Sequence, residues 1–202
     1  MKCVMLSIRP QWCEKIASGR KTFEVRKSAP KEVPFKVYIY CTKIPDKKSR
    51  SDKLNIGIWK GNEHVIGEFI CDKTYPIKAY TFDGGDAARG RWKLIQTFLP
   101  AEKAHKILFG TCLSTDEMYD YIGEGKFGYA WHISDLKIYD KPKELSEFKT
   151  SPCEKPEKAC ENCKYRVVIN TPDMYEVDCF VANGREISRP PQSYMFVEEI
   201  CL

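Results

Sequence analysis

Within its first 41 residues the chain places three short β-prone runs around one amphipathic helix, an order that confines it to folds mixing a curved sheet with flanking helices. Residues 4–8 read as a strand. Arg9-Pro10 then opens a helix in which Trp12, Cys13, Ile16 and Ala17 fall on one face, and Gly19 ends it. Residues 22–26 and 36–41 (KVYIYC) follow as strands, with a proline turn over 30–34 between them. A polar excursion over 43–61, with a short hairpin around 55–60, leads to a strand at 65–71. Past Gly84-Gly85 the pattern turns helical over 87–98 and 101–108, and a Ser114/Glu117 capping box opens a helix through Ile122. Alternation returns over 129–138 (YAWHISDLKI), where Tyr129, Trp131 and Ile133 share a face. The pattern alone supports an α+β domain with a partly closed sheet.

A length of 202 residues suits one large domain, or one domain with a small appendage. No apolar run approaches the roughly eighteen residues of a membrane span, and the stretch before Arg9 and Pro10 is too short for an export signal. The expectation is therefore a cytoplasmic protein without a membrane partner, whose ten cysteines are reduced thiols and metal ligands rather than a disulfide framework. The net charge of +5 is unevenly spread, since residues 19–53 hold eleven Lys/Arg against four Asp/Glu. Such a segment either draws a polyanion such as RNA, through counterion release, or forms a solvated face.

Inside that segment lies Gly19-Arg20-Lys21-Thr22-Phe23-Glu24-Val25-Arg26-Lys27. Strand alternation puts Thr22, Glu24 and Arg26 on one face and Phe23 and Val25 on the core face, which sets a carboxylate beside a guanidinium with the Lys21 ammonium at the mouth. Read this way the three are exposed charges, either an ordinary ion-pair cluster or the grip on a small polar ligand. Preceded by Leu6-Ser7-Ile8-Arg9-Pro10 and a helix, the run resembles the ASCH domain family, whose signature Gly-x-Lys-x-x-Glu-x-Arg is filled by Gly19, Lys21, Glu24 and Arg26. The resemblance covers roughly residues 1–139 and implies a PUA-like β-barrel with flanking helices over residues 1–148.

Cys153, Cys160, Cys163 and Cys179 crowd together with spacing C-x6-C-x2-C-x15-C. A C-x2-C knuckle plus two further thiolates suits tetrahedral Zn2+, and a segment too polar to pack a core gains its folding energy from the ion. An iron–sulfur cluster on the same thiolates and unrelated buried thiols are the alternatives. Residues 149–185 are thus expected as a small zinc-binding module. Cys3, Cys13, Cys41, Cys71 and Cys112 fall in or beside regular elements and read as core thiols. Residues 186–202 include Arg189-Pro190-Pro191-Gln192-Ser193-aromatic, which resembles the closing segment of phage-type ASCH proteins and implies a tail that returns to the barrel, as packing alone or with a contact from Gln192 or Ser193.

Three functions remain open. As its PUA-like relatives suggest, the barrel would bind RNA or a modified nucleoside: Arg9, Lys21, Arg26 and Lys27 to phosphate or base edges, Glu24 to an amino group, Trp12 or Tyr40 as a stacking face. Some compact relatives are amidohydrolases that deacetylate N4-acetylcytidine with a Lys, a Thr three residues later and a distant Glu. Here Lys21 is retained, Glu24 stands where the Thr would be, and Thr22 is a conceivable substitute beside a Glu24 acting as base. Some family members are ribonucleases. In the third reading the zinc module docks a protein partner. No histidine has metal or triad spacing: His64 and His105 are expected on the solvent side, and His132 on the face opposite Trp131.

Overall fold

The protein is described here by a computed structural model covering residues 1–43, 63–83, 91–152, 166–171, 174–179 and 184–200. Strand β1 (Cys3–Ile8) runs into helix α1 (Pro10–Ala17), which starts on Pro10 at its first turn and buries Cys13 and Ile16. Gly19 follows at φ +71°, a left-handed conformation open to glycine, and its amide closes the helix on Ile16 O at 2.8 Å. The chain then forms β2 (Phe23–Arg26), β3 (Phe35–Cys41), β4 (Val65–Cys71), β5 (Thr74–Asp83) and β6 (Arg91–Thr97). Helices α2 (Ala101–Gly110) and α3 (Thr115–Ile122) precede β7 (Phe127–His132) and β8 (Ser134–Lys143). A hairpin of β9 (Arg166–Thr171) and β10 (Met174–Cys179) comes next, and β11 (Tyr194–Val197) closes the order. The Ser114/Glu117 capping box is present in both directions at the start of α3.

The strands form a five-stranded sheet in the order β11-β1-β3-β4-β8 and a four-stranded sheet in the order β2-β7-β5-β6, with β9–β10 as a separate pair. β1 and β3 are parallel, with Leu6 opposite Ile39, and β11 pairs antiparallel on the free edge of β1, with Met195 opposite Met5. Both faces of β1 and β3 are buried. Val4, Leu6, Val37 and Ile39 enter the main core with Cys13, Ile16, Phe69 and Trp131, while Met5 and Tyr38 enter a second core with Phe148, Ile187 and Val197. Burial on both sides explains why these strands read as near-continuous apolar runs. A third core under α3 takes Val25, Ile77, Ala79, Met118 and Ile122.

Several expectations are corrected. Residues 91–97 are strand β6, not part of a helix: Trp92, Leu94, Ile95 and Phe98 mimic a helical stripe, but pairing with β5, with Phe82 opposite Trp92, decides the conformation. β5 itself was not anticipated. Residues 129–138 are two strands in different sheets, with the switch at Ile133 and Asp135 at φ +48° just beyond it. The run KPKELSE over residues 141–147 reads from sequence as a linker, but residues 141–143 finish β8 and Leu145–Glu147 is a 3-10 turn. Among the described residues the two large sheets do not close into one hydrogen-bonded ring, so the expected barrel is two open sheets around a shared core. No helix among them is long and apolar enough to cross a membrane.

Candidate ligand-binding site

β2 is an edge strand whose residues are all buried, and Lys21, Glu24 and Arg26 are only 2%, 6% and 8% exposed. The expectation of exposed charges is thereby overturned: α1, the end of α2, α3 and the C-terminal tail cover the face that alternation alone would leave open. Glu24 sits between the two cations, with Lys21 Nζ 3.2 Å from Oε2 and Arg26 Nη2 2.8 Å from Oε1. Lys21 Nζ also donates to Thr111 O at 2.6 Å, at the C-terminus of α2, where the helix dipole favours a cation. Arg26 Nη2 donates to Ser7 O at 2.8 Å. Removing charges from water is expensive, and the arrangement offsets that by giving the carboxylate two cations and each cation a carbonyl.

One glycine makes this possible. The Thr22 amide donates to Gly110 O at 2.9 Å, and a Cβ on Gly110 would collide with Thr22 Oγ1 and meet the Phe23 ring at 2.8 Å. The end of α2 therefore approaches β2 closely enough to put the Thr111 carbonyl on Lys21.

These charges lie at the bottom of a cavity of about 800 Å³. Trp12 of α1 and Tyr121 of α3 line it, and Pro190, Pro191 and Gln192 add a wall from the tail, tied down where Ser7 Oγ donates to Pro191 O at 2.6 Å. Lys15 Nζ and Lys21 Nζ stand 4.5 and 5.4 Å from the Trp12 ring centre. The charged lining is balanced, with Arg9, Lys21 and Arg26 against Glu24, Glu117 and Asp120. Arg26 Nε is buried and has no hydrogen-bond partner, one of two such side-chain atoms among the described residues. Burying an N–H donor without an acceptor costs about 1–3 kcal/mol.

The anticipated residues divide accordingly. Arg9, Trp12, Lys21, Glu24, Arg26 and Gln192 line one cavity. Lys27 is exposed outside the lining, with Nζ 5.3 Å from the Tyr121 ring centre. The side chain of Ser193 is not in the lining, although its carbonyl accepts from Ser7 N at 3.4 Å. Thr22 is exposed against Gly110 and also outside the lining, so no hydroxyl from that position faces the cavity. Tyr40 is buried in the second core and offers no stacking face. Tyr121 was missed; its signal is its place on α3 away from the core positions Met118 and Ile122. Thr111, Ser7 and Asp120 were missed as well.

The histidines lie elsewhere. His132 Nδ1 is 2.6 Å from Asp72 Oδ1, and His64 Nε2 is 2.9 Å from Glu144 Oε1. Burial pushes the Asp72 carboxyl up, but hydrogen bonds from His132 and Lys73 outweigh it and hold the group below the usual carboxylate range. Burial raises the Cys3 thiol to about 11 and the Cys71 thiol to about 12, in keeping with core thiols. Cys153, Cys160 and Cys163 lie outside the described residues, and Cys179 ends β10. Among the described residues no group of three or more His, Cys, Asp or Glu is placed to hold a metal.

This α+β framework of two sheets with flanking helices is the fold of a solved ASCH protein. The ASCH protein from Zymomonas mobilis aligns over 98% of this chain and 89% of its own, at 16% identity and a TM-score of 0.50. Two single-residue variants of the same protein align over 98% of this chain, at 16% identity and a TM-score of 0.48. At this identity the likeness is one of fold. No protein-family model matches the chain, and no curated protein does.

Proposed function

We propose that the protein binds RNA or a modified nucleoside by taking one base into the cavity over Lys21, Glu24 and Arg26. The observation that carries this is a cavity lined by two aromatic side chains over the buried Lys21, Glu24 and Arg26 set, in which Arg26 Nε has no hydrogen-bond partner. A base offers what these groups lack: a carbonyl or ring nitrogen for Arg26 Nε, an amino group for the remaining lone pairs of Glu24, and a π-face for Trp12 or Tyr121. The balanced lining favours a polar neutral group over a bare phosphate. Phosphate contacts, and with them the fall of affinity with salt, come from Arg9 and Lys27 at the periphery. Arg26→Lys tests this, because it keeps the charge and loses the planar N–H fork. Calorimetric titration with nucleosides and short single-stranded RNA should show binding by wild type and a loss of about tenfold or more in the variant, with the fold intact. Undiminished affinity in Arg26→Lys would remove the support for this reading.

In this reading residues 1–148 form the binding domain, 149–185 a module held by zinc, and 186–202 the segment that closes the cavity, as in phage-type cytoplasmic ASCH proteins. The pairing of Cys179 with Arg166 supports the zinc assignment. It returns the fourth cysteine to a point only three residues past Cys163, within about 11 Å of extended chain. Zinc there would supply folding energy to the module and no chemistry to the cavity. Metal analysis of purified protein should find about one zinc per chain, lost on joint substitution of Cys163 and Cys179 by Ser. A metal-free protein of undiminished stability, or the visible absorbance of an iron–sulfur cluster, rules this out.

A further inference from the structure

Away from the cavity, the four-stranded sheet carries aromatic side chains where a soluble strand pair usually carries polar ones. Phe82 of β5 is 55% exposed, its register partner Trp92 of β6 59%, and Phe127 of β7 49%. Register places Lys78, Tyr80 and Phe82 on one face with Trp92, Leu94 and Phe127. Lys78 Nζ stands 5.4 Å from the Phe127 ring centre. None of the described β5, β6 and β7 residues sharing this face is acidic. The charges of the other face are matched there, Lys93 with Asp120 at 2.6 Å and Arg91 with Glu124 at 3.3 Å.

The aromatic face also continues the row that builds the cavity. Pro76, two residues before Lys78, is opposite Tyr129, and Tyr129 is opposite Arg26. From the Pro76 row to Phe82 is about 20 Å along the strand.

We infer that this face of β5, β6 and β7 is a stacking platform for single-stranded RNA, holding the nucleotides that adjoin the base in the cavity. Every base has a π-face, so a run of rings accepts any sequence, while Lys78, with no carboxylate of β5, β6 or β7 on its face, suits a phosphate. The inference rests on the cavity taking a base, and it adds a second, sequence-tolerant surface to that site.

The test compares a ten-nucleotide single-stranded RNA of mixed sequence, carrying a fluorophore, with the four nucleoside 5′-monophosphates. Wild type should bind the decamer at least about tenfold more tightly than any monophosphate, with a quenching of tryptophan fluorescence that Trp92→Ala reduces. The double variant Phe82→Ala, Trp92→Ala should lose that advantage and bind monophosphates as wild type does. Should this pair fold poorly, Lys78→Gln gives an independent reading, since it should lower the salt dependence of decamer binding by about one phosphate contact. A decamer that binds no better than a monophosphate, or a double variant that keeps decamer affinity, overturns the platform. So does a wild-type dimer that dissociates in the double variant, because a second copy then covers the face. If no monophosphate binds but the decamer depends on Phe82 and Trp92, the cavity reading fails and with it the link to the cavity, leaving the rings as a separate strand-binding surface.

Discussion

The two edges of the four-stranded sheet reverse the usual placement of side chains in opposite ways. At the β2 edge, Lys21, Glu24 and Arg26 are withdrawn from water, and at the β6 edge Trp92 is 59% exposed. The β2 charges are held by mutual pairing and by carbonyls from Ser7 and Thr111, an arrangement that collapses if one member goes. The β6 ring depends on no such set. The contrast teaches that the buried edge is fixed by its neighbours, while the exposed edge is free to be defined by what it meets.

The largest break in that contrast is expected from Glu24→Ala, which leaves two buried cations without their carboxylate and should lower unfolding stability by about 3–5 kcal/mol. Urea unfolding followed by circular dichroism measures it, and a change under about 1 kcal/mol would mean that water reaches the cluster. A smaller effect is expected from Gly110→Ala. The added methyl meets Thr22 and Phe23, so overpacking should cost about 1–3 kcal/mol and push α2 away from Lys21, again read by urea unfolding. The smallest is Trp92→Ser, for which the same measurement should differ from wild type by no more than about 0.5 kcal/mol. A large loss there would show that the ring packs in the free protein and would erase the difference between the edges.

How far this was legible from sequence follows from the same contrast. KVYIYC could be read as a strand because β3 is buried on both faces and needs apolar residues throughout. RWKLIQT could not, because an edge strand tolerates polar residues on either side and its spacing then passes for a helical stripe. The Lys21, Glu24 and Arg26 set was visible as a motif, but its burial was not. The covering groups come from far along the chain, Thr111 lying 90 positions from Lys21 and Pro191 lying 184 from Ser7. Local alternation contains no information about contacts at that separation.

The bond from Ser7 to Pro191 has a consequence for synthesis. A ribosome adding about 5–20 residues per second makes one wall of the cavity on the order of ten to forty seconds before the other. Throughout that interval β1 lacks β11, and the edge that β11 pairs is a bare hydrogen-bonding template, the kind that recruits another chain. The segment carrying Pro191 and β11 therefore acts after both large sheets have otherwise been made. A slow or stalled translation of residues 190–197 would leave nascent chains able to pair with one another before the cavity is complete.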